Sequence, residues 1–146
     1  MSKVFERDII PRLSSYFADR PDTAFAFLFG SRARGEERGW SDVDIAVYFY
    51  PKGGELEIEE EVSYSAEDQI WADVEKICGF ETDLLVINRA PARVAYSALS
   101  EGSPLYISDR SLYLRVLCAT GRLFEEYGEF TESYIRIKER SSSLSD

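Results

Sequence analysis

The sequence predicts an α/β fold, a mixed β-sheet with helices packed mainly on one side. Three observations carry this reading. Apolar runs of strand length recur at Ala24–Phe29, Ile45–Phe49, Thr82–Ile87 and Leu105–Ile107. Around them, apolar residues fall at helical spacing, as in Val4, Phe5, Ile9, Leu13 and Phe17 ahead of the first strand. The first two strands are joined by only about a dozen residues, which have to include a small helix.

Each element has its own signal. Residues 3–18 read as a helix, with a break near Ile10 because Pro11 interrupts the run. Pro21 and Asp22 turn the chain into the first strand. The acidic stretch Glu55–Glu61 reads as a solvated loop or helix start. Ser65 is placed to cap a helix, with Asp68 three residues on. That helix would bury Ile70, Trp71, Val74, Ile77 and Cys78, and Gly79 would stop it. Pro91 marks another helix start, ended by Glu101 and Gly102. Ser103–Ile107 reads as an edge strand, since proline is tolerated there. Asp109 caps a long helix carrying Tyr113, Val116, Leu117, Thr120, Leu123, Phe124 and Tyr127. A similar pattern continues through Phe130, Tyr134 and Ile137.

Composition bounds the function. A chain of 146 residues with 45% apolar content suits one domain, expected over 1–140, with a disordered tail at 141–146. No apolar run approaches the roughly 20 residues of a membrane span, and the charged N-terminus is unlike a signal peptide. The only cysteines, Cys78 and Cys118, are expected to be buried thiols of a cytoplasmic protein. The chain has no histidine, which removes Ser-His-Asp and Cys-His catalysis and histidine-bound metals. A net charge of −10 argues against direct nucleic-acid binding and is compatible with a basic partner.

The chemistry concentrates between Phe25 and Val47. After the first strand, Gly30 can take a backbone conformation that is costly for other residues. Ser31 offers a hydroxyl and a backbone N–H, and a helix starting there would present its positive end to a phosphate. Arg32 and Arg34 add guanidinium groups suited to phosphate oxygens. Next, Asp42 and Asp44 alternate along a strand and so lie on one face, while Val43, Ile45 and Val47 lie on the other. Oxygen ligands from one or two Asp plus phosphate are what Mg²⁺ prefers. Asp83 opens a later strand in the same way, and three such carboxylates could hold two Mg²⁺ ions roughly 3.5–4 Å apart.

Gly30-Ser31-Arg32-Ala33-Arg34-Gly35, a gap of five residues and then Ser41-Asp42-Val43-Asp44 resembles the active-site signature of the minimal nucleotidyltransferases (MNT) of the DNA polymerase β-like superfamily. Asp83 falls where that family has its third carboxylate, and the likeness spans Ala24 to about Asn88. The resemblance implies the polymerase β-like fold and transfer of AMP from ATP to a hydroxyl. Asp42, Asp44 and Asp83 would be catalytic and metal-binding, and Gly30, Ser31, Arg32 and Arg34 would hold the triphosphate. It implies a partner too, since small MNT proteins often pair with HEPN-domain RNase toxins, some as antitoxins that adenylylate a toxin tyrosine. A hetero-oligomer with such a toxin is then expected. A small-molecule acceptor such as an aminoglycoside, and a non-catalytic antitoxin that acts by binding, stay open as alternatives.

Overall fold

The computed structural model describes residues 5–30 and 43–126. A single π-helical turn, Phe5–Ile9, leads into helix α1, Ile10–Ala18. The change of helix type falls beside Pro11, which lacks the N–H that a continuous α-helix would use. Strand β1 is Thr23–Phe29, β2 is Val43–Phe49, β3 is Thr82–Val86 and β4 is Ser103–Ile107. Helix α2, Glu67–Cys78, precedes β3, and α3, Ala92–Glu101, follows it. Helix α4 covers 110–126.

The four strands form one sheet in the order β3-β2-β1-β4. β1 pairs antiparallel with β2 and with β4, while β2 and β3 run parallel. The sheet is therefore mixed, as expected, and β4 lies at an edge.

One expectation about its faces needs correcting. Helices are packed on both sides of the sheet, not mainly on one. Leu13 and Phe17 of α1 and Ile70, Val74 and Cys78 of α2 pack on the face of Leu28, Ile45 and Val47. Ala95, Ala98 and Leu99 of α3 and Leu112 and Val116 of α4 pack on the face of Phe27, Ala46 and Tyr48. The reason is in the strands. Every residue from Thr23 to Leu28 is buried, and so is every residue of β2 except Asp44. A strand without polar alternation needs cover on both faces.

Other expectations divide. Gly79 ends α2 in the left-handed conformation with φ of 82°, and Asp109 caps α4 by accepting the Leu112 N–H at 3.0 Å. Ser65 does not cap α2. The side chain of Glu67 instead reaches back to accept the Tyr64 N–H at 2.8 Å. Cys78 is buried as expected, but Cys118 is exposed, because it lies on the outer side of α4 from Val116 and Thr120. The acidic stretch is only partly solvated. Glu57 is buried, and its carboxylate accepts bonds from Tyr64 Oη, from Asn88 Nδ2 at 2.8 Å and from the Lys52 N–H at 3.2 Å. Glu59 accepts the Ala92 N–H at 2.9 Å and so caps α3 from outside the helix.

The expected helix after Ser31, the strand entry at Asp42, the pattern beyond Tyr127 and the tail 141–146 lie outside the described residues. Among the described residues no helix is long and apolar enough to cross a membrane.

Candidate active site

The site is built at the end of the sheet where β1 finishes and β2 and β3 begin. In the parallel pairing of β2 with β3, Asp44 stands directly beside Asp83. Adjacent strands lie roughly 4.7–4.9 Å apart, and paired residues in a ladder share a face. That face is the one that carries Ala46 and Tyr48 further along β2. Asp44 is half-buried and Asp83 exposed. Two carboxylates this close repel one another, and a cation between them removes the penalty.

Gly30 completes the arrangement from β1. Phe29 pairs with Asp44, so the chain leaves β1 beside that carboxylate. Gly30 has φ of 86°, and a Cβ there would collide with Asp44 Oδ2. Glycine is thus required twice, for the left-handed backbone and for the close approach of the carboxylate.

β3 needs support to hold Asp83, because it is the opposite edge strand. α2 supplies it. Trp71 Nε1 donates to the Thr82 carbonyl at 2.7 Å, and the Thr82 N–H donates to Glu75 Oε2 at 3.1 Å. These two side chains satisfy backbone groups on the edge of β3 that no other described strand pairs. Trp71 was expected in the core by its spacing, yet 40% of it is exposed. Its indole N–H anchors the residue next to Asp83, a role that periodicity does not signal.

At the other end of β2, Asn88 works like a short piece of strand. Its amide accepts the Phe49 N–H at 2.9 Å and donates to the Phe49 carbonyl at 2.9 Å. The same Nδ2 reaches Glu57. Tyr48 Oη donates to the Glu57 carbonyl at 3.0 Å and accepts the Glu57 N–H at 2.9 Å. Burial pushes the Tyr48 hydroxyl up to about 12. Tyr64 is raised further, by burial and then by its bond to Glu57. This network fixes the register from which Asp44 projects.

Of the residues singled out in the sequence, the structure brings together Gly30, Asp44 and Asp83. Ser31, Arg32, Arg34 and Asp42 lie outside the described residues. Among the described residues no group of three or more His, Cys, Asp or Glu could hold a metal ion. Asp44 and Asp83 give two oxygen-donor residues side by side, a set that fits Mg²⁺ in chemistry.

The family model for polymerase beta, nucleotidyltransferase, matches residues 12–111, more than half of the chain. This chain belongs to the polymerase beta nucleotidyltransferase family. As a nucleotidyltransferase by family, it carries Gly30, Asp44 and Asp83 within the matched region. No curated protein sequence matches it. Among solved structures, it is similar to a chain of a toxin–antitoxin with AMP-PNP, with TM-score 0.65 and 17% identity over 86% of this chain and 94% of the other. It is similar as well to a chain of a tri-AMPylated Shewanella oneidensis HEPN toxin in complex with MNT antitoxin, with TM-score 0.60 and 17% identity over 93% and 97%. The toxin–antitoxin MntA–HepT gives TM-score 0.60 and 14% identity over 86% and 95%. At these identities the likeness is one of fold.

Proposed function

We propose that this nucleotidyltransferase moves AMP from ATP to a tyrosine hydroxyl of a HEPN-type RNase toxin and neutralises it, as an MNT antitoxin. The observation that carries the reading is the pairing of Asp44 with Asp83 beside Gly30. Its setting supports the rest. The similar folds come from toxin–antitoxin complexes, one with an ATP analogue and one with an AMPylated toxin.

In this reading the acceptor oxygen bonds to the α-phosphorus, and the bond from that phosphorus to the bridging oxygen breaks. Pyrophosphate leaves with that electron pair. Asp83 accepts or directs the proton of the attacking hydroxyl. It is the exposed member of the pair, open to an acceptor. Asp44 and Asp83, with Asp42 two residues before Asp44, would hold two Mg²⁺ ions. Bound there, Mg²⁺ lowers the pKa of the hydroxyl and neutralises charge on the leaving group. Gly30 and Ser31 would hold the β- and γ-phosphates, with Arg32 and Arg34 balancing their charge.

The test is incubation of the chain with α-labelled ATP, Mg²⁺ and a HEPN-type RNase as the proposed acceptor. Label on that protein, absent with Asp42→Ala, supports the reading. Label on an added aminoglycoside instead would make it a small-molecule enzyme. Neutralisation that survives Asp42→Ala with Asp44→Ala would leave an antitoxin that acts by contact alone.

A further inference from the structure

β3 is an edge strand, and it carries Asp83. At its end the Ile87 N–H donates to the Val47 carbonyl of β2 at 2.8 Å. Backbone groups alternate along a ladder, so Asp83 and Leu85 turn theirs to β2, while Thr82, Leu84 and Val86 turn theirs outward. Trp71 and Glu75 of α2 take both outward groups of Thr82. The Val86 carbonyl accepts the Arg89 and Ala90 N–H groups. There remain the Leu84 N–H and carbonyl and the Val86 N–H, and among the described residues no strand pairs with them. An open stretch of edge thus begins one residue beyond Asp83.

Register, shape and charge restrict what can occupy this edge. An antiparallel segment that exchanges both bonds with Leu84 puts its next residue opposite Asp83, in a non-hydrogen-bonded pair, where side chains approach most closely. That side chain rises on the same face as the Asp83 carboxylate, and an aromatic one is long enough to lean over it. Leu85 is half-buried on that face and seats the segment's residue two places away. Trp71, 40% exposed, closes the Thr82 end and limits where an added strand can start. The charge here is negative. Glu81 is exposed just before β3, and Glu75 lies on the Thr82 N–H. The cations of α2 and of the turn after β3 are engaged elsewhere. Arg89 pairs with Glu67 at 2.6 Å, and Lys76 acts on Asp73, which bonds Tyr16 of α1. Such an edge complements a basic segment.

We propose that an extended, basic segment of the acceptor protein adds to the outer edge of β3 as a further strand, pairing with Leu84 and setting its acceptor tyrosine opposite Asp83. Main-chain bonds to Leu84 and Val86 fix the register, and the side chain on the face of Asp83 carries the hydroxyl. The inference rests on the nucleotidyltransferase reading above and deepens it, by assigning how the acceptor is held at the carboxylate that receives or directs its proton.

The experiment measures ATP binding, and AMP transfer with Mg²⁺ to a HEPN-type RNase, for the full chain and for Leu84→Pro and Glu81→Lys. Proline removes the Leu84 N–H and is tolerated on a sheet edge, and an unchanged thermal midpoint checks the fold. Amide exchange at Leu84 and Val86, in the free chain and in its complex with the RNase, reads the edge without any substitution. The expected result is ATP affinity kept in both variants, with transfer by Leu84→Pro reduced about tenfold or more through a higher KM for the RNase. Glu81→Lys should raise that KM several-fold, and less so at high salt. Both amides should exchange more slowly in the complex. Transfer by Leu84→Pro at the wild-type rate, or amides that exchange equally fast in the complex, would overturn the docking edge and leave the nucleotidyltransferase reading standing. A wild-type chain that transfers no AMP to the RNase would sink both.

Discussion

At the residue scale, the site depends on what Gly30 lacks. Its positive φ and its contact with Asp44 each exclude a side chain. Gly30→Ala is predicted to cost about 1–2 kcal/mol of stability in urea unfolding from the left-handed backbone alone. It should also weaken Mg²⁺-dependent ATP binding, because the methyl group displaces the Asp44 carboxylate. Asn88 gives a second prediction. It is fully buried and serves both backbone groups of Phe49 as well as Glu57. Asn88→Ala takes this partner from the Phe49 N–H and carbonyl and should cost about 1–3 kcal/mol for each group left without a bond. Asp44 and Asp83 were legible in the sequence because each stands at the start of an apolar strand, and the resemblance to the nucleotidyltransferase signature ties both to Gly30. Glu57 and Asn88 were not. A buried glutamate inside an acidic run is indistinguishable from its solvated neighbours until Tyr48, Tyr64 and Asn88 converge on it from distant positions.

At the element scale, α2 matters as the clamp on β3. Trp71→Phe keeps the ring and removes the N–H that holds the Thr82 carbonyl. A loss of about 0.5–1.5 kcal/mol is expected in denaturant unfolding, with faster amide exchange at the start of β3. The link from α1 to α2 adds a pH dependence. Tyr16 Oη donates to Asp73 Oδ2 at 2.7 Å, and burial, followed by this bond, raises its pKa from 10.0 to about 12. The folded state therefore holds the proton more tightly than the unfolded chain. That stabilisation is complete below pH 10 and is lost as pH rises through about 12. Unfolding measured across this window should show stability falling, with a shallower fall in Tyr16→Phe. α4 gives a simpler expectation. One thiol, Cys118, should react with an aromatic disulfide in the native protein, and Cys78 only on unfolding. The helices were legible through their apolar spacing. Their distribution over two faces was readable too, from the unbroken apolar run Ala24–Leu28. The exposure of Cys118 could not be read from a pattern in which both helix faces carry apolar residues.

At the scale of the whole molecule, the mixed sheet gives both helix layers a core. The carboxylate pair lies where β1 ends and β2 and β3 begin. The net charge of −10 sets an acidic frame around a site that has to receive a polyphosphate, so the account depends on cations neutralising Asp44 and Asp83 locally. The most direct measurement is the intact mass of the proposed HEPN partner after incubation with ATP, Mg²⁺ and this chain, either wild type or carrying Asp44→Asn or Asp83→Asn. The account predicts one or more added AMP masses with the wild type, none with either variant, and complexes that still form in all three cases. AMP addition that persists at the wild-type rate in both variants would contradict it, because the paired carboxylates would then have no part in the transfer.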